Sequence, residues 1–272
     1  MTFKDKLKNI SVKNNSLVCV GLDSDINKIP KHIRNTGHPQ STFNKAIIDS
    51  TSDLVCAYKP NTAFYESRGS VGVEALKMTC DYIKEKYPDI PIIIDAKRAD
   101  IGSTNEGYVK FIFDYLNADA VTVHPYLGSE ALKPFLERSD KGIIVLCRTS
   151  NPGAGEFQDL EFNGKPFYQI VAEKIADKWN YNNNCGVVVG ATYPSELEIV
   201  RRIVDKMPIL IPGIGAQGGD VEKTVKAGVD SQGLNAIINS SRGIIFAGDG
   251  LDFAQKARQE TQKLRDEINK FR

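Results

Sequence analysis

The feature that most constrains this chain is a repeat of short apolar runs, each followed by a segment with helical spacing. The runs are Leu17 to Leu22, Leu54 to Tyr58, Ile90 to Ile94, Ala118 to Val123, Gly142 to Cys147, Cys185 to Val189, Ile209 to Ile211 and Leu234 to Ile238. Several, such as PIIID and GVVVG, are nearly continuous in Val and Ile. That composition suits strands buried on both faces of a parallel sheet. Between them, Val73, Leu76, Cys80 and Ile83 fall on one helical face, as do Phe167, Ile170, Val171 and Ile175, and Leu197, Val200 and Ile203. The C-terminal stretch Asp252 to Phe271 reads as an amphipathic helix. Strict β-α alternation implies parallel strands joined by crossovers. Eight units over 272 residues favour a closed (β/α)8 barrel, a TIM barrel, as a single domain spanning residues 1–272.

Two connections are long, residues 24–41 and residues 149–164. The second, TSNPGAGEFQDLEFNG, is rich in Gly, Asn and Ser and has the length of a lid or a binding loop. Lys and Arg number 35 against 34 Asp and Glu, so nothing in the charge points to nucleic acid or an anionic membrane as partner. No apolar stretch approaches the roughly 18 residues of a membrane span. The N-terminal MTFKDKLKNI has no apolar signal core. The five cysteines form no C-x-x-C pair, and four lie in or beside strand-like runs. Buried free thiols are expected, in keeping with a reducing cytoplasm.

Barrel enzymes place their chemistry at the C-terminal ends of the strands. Strand one ends in Asp23 and strand two in Lys59; strand three runs into Asp95, Lys97 and Asp100. Strand four ends in His124, and strand five leads to Arg148, Thr149 and Ser150. Asp95 and Lys97 are two apart, so a regular strand points them to one side. With Lys59 and Asp100 they make a candidate array of two lysines and two aspartates. An ordinary salt-bridge network would look the same; the functional alternative is a lysine held charged and aimed by carboxylates, ready to donate a proton. His124 is read with both alternatives open, pocket-lining or structural, whereas His32 and His38 read as solvent-facing. No H-E-x-x-H or Cys/His cluster suggests zinc.

The last two strands carry a second signal. PGIGAQGGD offers Pro212, Gly213 and neighbouring backbone N–H groups plus the amide of Gln217. NSSRG adds the guanidinium of Arg242, whose fork suits a phosphate dianion. Loops after strands seven and eight often hold a substrate phosphate. Gly213, Gly215 and Gly218 also spell G-x-G-x-x-G, but in the seventh unit, and no acidic residue ends the following strand, so a dinucleotide is not expected.

DAKRADIGST, Asp95 to Thr104, resembles the D-x-K-x-x-D signature of the orotidine 5′-monophosphate decarboxylase family. VGLDSD, AYKPNTAFYE, PGIGAQGGD and the Arg242 segment resemble further blocks of the longer bacterial form, in family order. The resemblance implies conversion of orotidine 5′-monophosphate to uridine 5′-monophosphate, the last step of UMP biosynthesis, without any cofactor or metal. It implies that Asp23 binds the ribose and that Lys59, Asp95, Lys97 and Asp100 form the charged array. Lys97 would protonate C6 of the pyrimidine. Ser150, or else Thr149, would contact the base; Pro212, Gly213, Gln217 and Arg242 would surround the phosphate. It also implies a homodimer in which Asp100 and Thr104 reach the partner's site, with lids near residues 149–164 and 213–220. The metal-using aldolases and decarboxylases that share D-x-K-x-x-D are the nearest rivals. They carry a carboxylate where Lys59 stands, and a lysine there opposes a cation.

Overall fold

In the computed structural model, which describes residues 1–214 and 219–272, eight parallel strands build one sheet. They are β1 (Val18–Gly21), β2 (Ala57–Lys59), β3 (Ile93–Arg98), β4 (Ala120–Val123), β5 (Gly142–Arg148), β6 (Cys185–Val189), β7 (Ile209–Pro212) and β8 (Ala236–Ser240). The hydrogen-bonded order is β2-β1-β8-β7-β6-β5-β4-β3. Bridges between Tyr58 and Ile92 and between Asn61 and Asp95 join the two ends, so the sheet closes as a (β/α)8 barrel. The continuous apolar runs are explained by this arrangement: β1, β2, β4 and β6 are buried at every position, because side chains on both faces meet protein.

Helices Pro39–Thr51, Gly69–Lys86, Gly102–Val109, Gly128–Leu136, Phe167–Lys174, Pro194–Val204, Val221–Gly228 and Phe253–Ile268 ring the strands. The ring is locked where the chain's two ends meet. Phe43 stacks on Phe246 at 5.7 Å and on Phe253 at 5.3 Å, tying the first of these helices to the last. An additional N-terminal helix, Phe3–Lys13, starts with a Thr2–Asp5 capping box. Its Lys6 pairs with Asp119 below β4, on the side away from the strands' C-terminal ends. Gly142 leaves room for the Phe3 ring against the start of β5.

The expected strands all form, but some shift towards their C-terminal ends. The eighth was expected from Leu234; it starts at Ala236 because Asp230 captures the N–H groups of Gln232 and Leu234 and the amide of Asn235 in a turn. The third continues past Ile94 into Arg98. Apolar runs report where side chains are buried, whereas the ladder extends as far as backbone partners exist. The 149–164 connection is not featureless: it holds a turn at Pro152–Ala154, a short helix at Gly155–Gln158 and a hairpin pairing Glu161–Phe162 with Lys165–Pro166. All five cysteines are buried and unpaired. Among the described residues, no helix is long and apolar enough to cross a membrane.

Candidate active site

A cavity of about 490 Å³ opens at the C-terminal ends of the strands. Asp23 follows β1, Lys59 ends β2, Asp95 and Lys97 lie in β3, Thr149 and Ser150 follow β5, Pro212 ends β7 and Arg242 follows β8; all line this cavity. Residues spread from position 23 to 242 are brought together because every parallel strand exits on the same face.

Asp95 is the centre of the charged floor. Its Oδ2 accepts from Lys59 Nζ at 2.9 Å, and its Oδ1 from Lys97 Nζ at 2.6 Å. Asn61 Nδ2 also donates to Oδ2 at 3.2 Å, and the Thr122 hydroxyl to Oδ1 at 2.8 Å. Burial by itself would push the Asp95 carboxyl up; the charges of Lys59 and Lys97 outweigh it and hold the group well below the usual carboxylate range. Burial likewise opposes the charge on Lys59, which is 3% exposed, yet Asp95 and then Asp23 prevail and raise its pKa above the ordinary lysine value. Lys97 differs: about half of its side chain (49%) is exposed to the cavity and solvent. One ammonium is therefore locked in the wall and the other is presented.

Asp95 and Lys97 do face one another, though not through regular strand alternation. The register of β3 against β4 passes from Ile94 opposite Val121 to Arg98 opposite Val123. Residues 95–97 thus stand against Thr122 alone. This bulge turns Lys97 into the left-handed region, at φ 47°, a conformation that costs a residue with a side chain on the order of 1–3 kcal/mol and persists only where its surroundings enforce it.

The fourth member of the expected array is elsewhere. Asp100 lies beyond β3, with its Oδ1 accepting the Ile101 N–H at 2.7 Å and its own N–H donated to Asn105. It does not line the cavity of its own chain, and neither does Thr104, exposed on helix Gly102–Val109. A single chain therefore supplies Lys59, Asp95 and Lys97 to its cavity; Asp100 and Thr104 are the residues that the resemblance assigns to the partner's site. His124 is turned away from the cavity, its Nδ1 facing the Tyr126 N–H at 3.4 Å.

Ser150 and Thr149 both line the cavity. Gly190, after β6, is required there, since a Cβ would come within 2.6 Å of the Ser150 Cβ. The Thr149 N–H donates to Gln158 Oε1 at 2.8 Å, and its hydroxyl to Asn151. Gly213 adopts φ 111°, open only to glycine, where β7 turns into its loop. Gln217, with Gly215 and Gly218 of the glycine motif, lies outside the described residues. Arg242 opens a short helix, Arg242–Ile245, at the cavity rim and is exposed.

Comparison with known proteins gives the family. The family described as "Orotidine 5'-phosphate decarboxylase / HUMPS family" matches residues 16–257. The chain belongs to that family. It is 50% identical over 272 residues to an orotidine 5'-phosphate decarboxylase of Ralstonia pickettii (strain 12J), covering 100% of both chains. It is also 50% identical to the Cellvibrio japonicus (strain Ueda107) enzyme of the same name, over 99% of this chain and 98% of that one. Among solved structures, Leishmania donovani OMP decarboxylase superposes with a TM-score of 0.84 at 37% identity, covering 98% of this chain and 100% of that one.

Several cavity residues of this family member escaped sequence reasoning. Asn61 follows Lys59 by two and so shares its side, a signal available from alternation. Thr122 is the polar position within AVTV, visible as a break in an apolar run. Gln158 gave no signal, because its place depends on how the 149–164 segment folds back. Arg148 is 2% exposed, stacks on Tyr193 at 4.0 Å and pairs with Asp159 at 3.0 Å, so it anchors that segment from below.

The Asp95 pair makes a stability prediction. Replacing Asp95 by Asn removes the direct ion-pair partner of the buried Lys59 charge and leaves only the Asp23 carboxylate, which is expected to cost about 3 kcal/mol at neutral pH. A carboxyl with a depressed folded pKa contributes fully above its unfolded value of about 3.9 and loses that contribution as pH falls below it. In urea melts the stability gap between wild type and Asp95→Asn should therefore start to narrow below about pH 5 and keep narrowing as pH falls towards the depressed folded pKa. A gap that stays constant with pH would show that Asp95 is not held ionised by these lysines.

Proposed function

We propose that this chain decarboxylates orotidine 5′-monophosphate to uridine 5′-monophosphate by way of a C6 carbanion that Lys97 stabilises and then protonates. The observation that carries the mechanism is the pair of lysines on one buried carboxylate, one of them half exposed towards the cavity. Lys59 and Lys97 balance Asp95 and Asp23 on the floor, and Arg242 at the rim adds a positive charge suited to the substrate's phosphate.

Loss of carbon dioxide breaks the bond from C6 to the carboxylate carbon and leaves the electron pair on C6. No adjacent π-system can delocalise that pair. A fixed ammonium beside C6 stabilises it electrostatically, with no reorganisation at the moment of bond breaking. Lys97 then transfers a proton from Nζ to C6, giving the product, and regains a proton from water, to which its exposure gives access. Lys59 keeps Asp95 ionised and in place. The Lys59 ammonium, where the metal-using relatives carry a carboxylate, disfavours a divalent metal and separates this reading from theirs.

Asp23 has a carboxylate oxygen, Oδ1, that is buried with no hydrogen-bond partner. Such a group is costly unless something completes it, and a ribose hydroxyl would. Pro212, Gly213, Gln217 and Arg242 surround the phosphate, with Ser150 or Thr149 at the pyrimidine. Residues 149–164 and 213–220 act as lids, so that phosphate binding helps to close the site. The working unit is a homodimer: Asp100 and Thr104 sit outside their own cavity and complete the partner's. With five buried thiols and no disulfide, the enzyme is suited to the reducing cytoplasm.

Decarboxylation is read from the fall in absorbance of orotidine monophosphate. Wild type should turn it over, undiminished in excess EDTA, and Lys97→Ala should lose at least about 10³-fold in kcat. Equal turnover in the two, or none in wild type, would sink the reading. Arg242→Ala removes a charge-assisted phosphate contact and should raise KM by about 10-fold or more; an unchanged KM would put the phosphate elsewhere. For the dimer, mixing inactive Lys97→Ala with inactive Asp100→Ala chains should restore activity, because hybrid dimers hold one intact site. No recovery after subunit exchange would refute the shared site.

A further inference from the structure

We propose that Thr122 is a positioning residue for Lys97: its single hydroxyl fixes both the backbone and the counter-ion of the proposed proton donor. The inference rests on the reading of Lys97 given above. Thr122 is fully buried (0% exposed) on β4, opposite the β3 bulge. Its Oγ accepts the Lys97 N–H at 3.0 Å and donates its hydrogen to Asp95 Oδ1 at 2.8 Å. The same Asp95 oxygen receives Lys97 Nζ at 2.6 Å.

The three contacts form a closed loop, from the Lys97 backbone through the Thr122 hydroxyl and Asp95 to the Lys97 ammonium. In the bulge, residues 95–97 face one residue of β4, so the ladder cannot serve each of them with a backbone partner. A hydroxyl is suited to the gap because it accepts and donates at once. The left-handed turn at Lys97 needs enforcement from outside, and the Thr122 contact supplies it at the amide itself. Lines of force run from there to the chemistry: if the amide is released, Lys97 relaxes towards the strand region and Nζ swings off its line to C6. With its hydrogen given to Asp95 and a lone pair taken by the Lys97 N–H, the hydroxyl orients Lys97 from the cavity wall.

The test compares Thr122→Val, which keeps the shape and removes the hydroxyl, with Thr122→Ser, which keeps the hydroxyl. Misplacing a catalytic group by about 1 Å costs up to about 100-fold, so Val should lower kcat about 10- to 100-fold while KM changes less than about threefold. Ser should stay within about threefold of wild type. Hydrogen exchange at the Lys97 amide should speed up about 10-fold or more in Val and not in Ser, a readout that does not need activity. Should Val fail to fold, Ala against Ser makes the same comparison. Wild-type kcat without the hydroxyl, a loss carried by KM, a Ser variant as impaired as Val, or unchanged exchange at residue 97 each overturns the proposal. A Val variant with wild-type kcat refutes this inference alone; a Lys97→Ala variant with wild-type kcat refutes the reading beneath it.

Discussion

The site depends on one buried carboxylate shared by two lysines. Asp95 cannot be ionised at that depth without a cation, and Lys59 cannot be charged in the barrel wall without an anion. Each removes the desolvation problem of the other. Once that pair is in place, Lys97 can be tethered to the free oxygen of Asp95 while still facing the cavity. The barrel contributes the depth that makes the pairing obligatory, and the pairing holds the charged floor of the cavity in place.

The same pair links the fold to the site. Lys59 belongs to β2 and Asp95 to β3, the two strands whose contact closes the sheet. Few backbone bonds join them: bridges at Tyr58–Ile92 and Asn61–Asp95 carry the seam. The Lys59–Asp95 ion pair and the Asn61–Asp95 hydrogen bond add side-chain links across it. Asp95 also bonds to the β2 side through its backbone, donating its N–H to Pro60 and accepting from the Thr62 N–H. On its other edge the register of β3 with β4 lapses between Ile94 and Arg98, where Lys97 turns.

Much of this was legible beforehand. Buried parallel strands need apolar residues at every position, so VCVG and GVVVG announced themselves, and alternation with helical spacing led to the barrel. Asp23, Lys59, Asp95 and Lys97 were visible because a charge at the end of an apolar strand has few other reasons to be there. Asn61 and Thr122 were not singled out, since uncharged polar residues beside a strand end are common. Gln158 was beyond reach, and Arg148, visible at the end of strand five, gave no sign of its anchoring contacts, because both depend on the path of a loop with no periodic pattern.

The amino-acid sequence by itself determined the fold class and the identity of the charged residues, because these follow from burial patterns and from residue types at strand ends; the family came from the resemblance of its motif blocks. Only the tertiary structure decided how those charges are arranged. Alternation correctly put Asp95 and Lys97 on one side, but for a reason that does not hold in a bulge; the actual cause is a left-handed residue held against Thr122. It also decided that Asp100 stays out of its own cavity. Both depend on which backbone groups find partners across strands remote in sequence, and a one-dimensional pattern of polarity does not encode that.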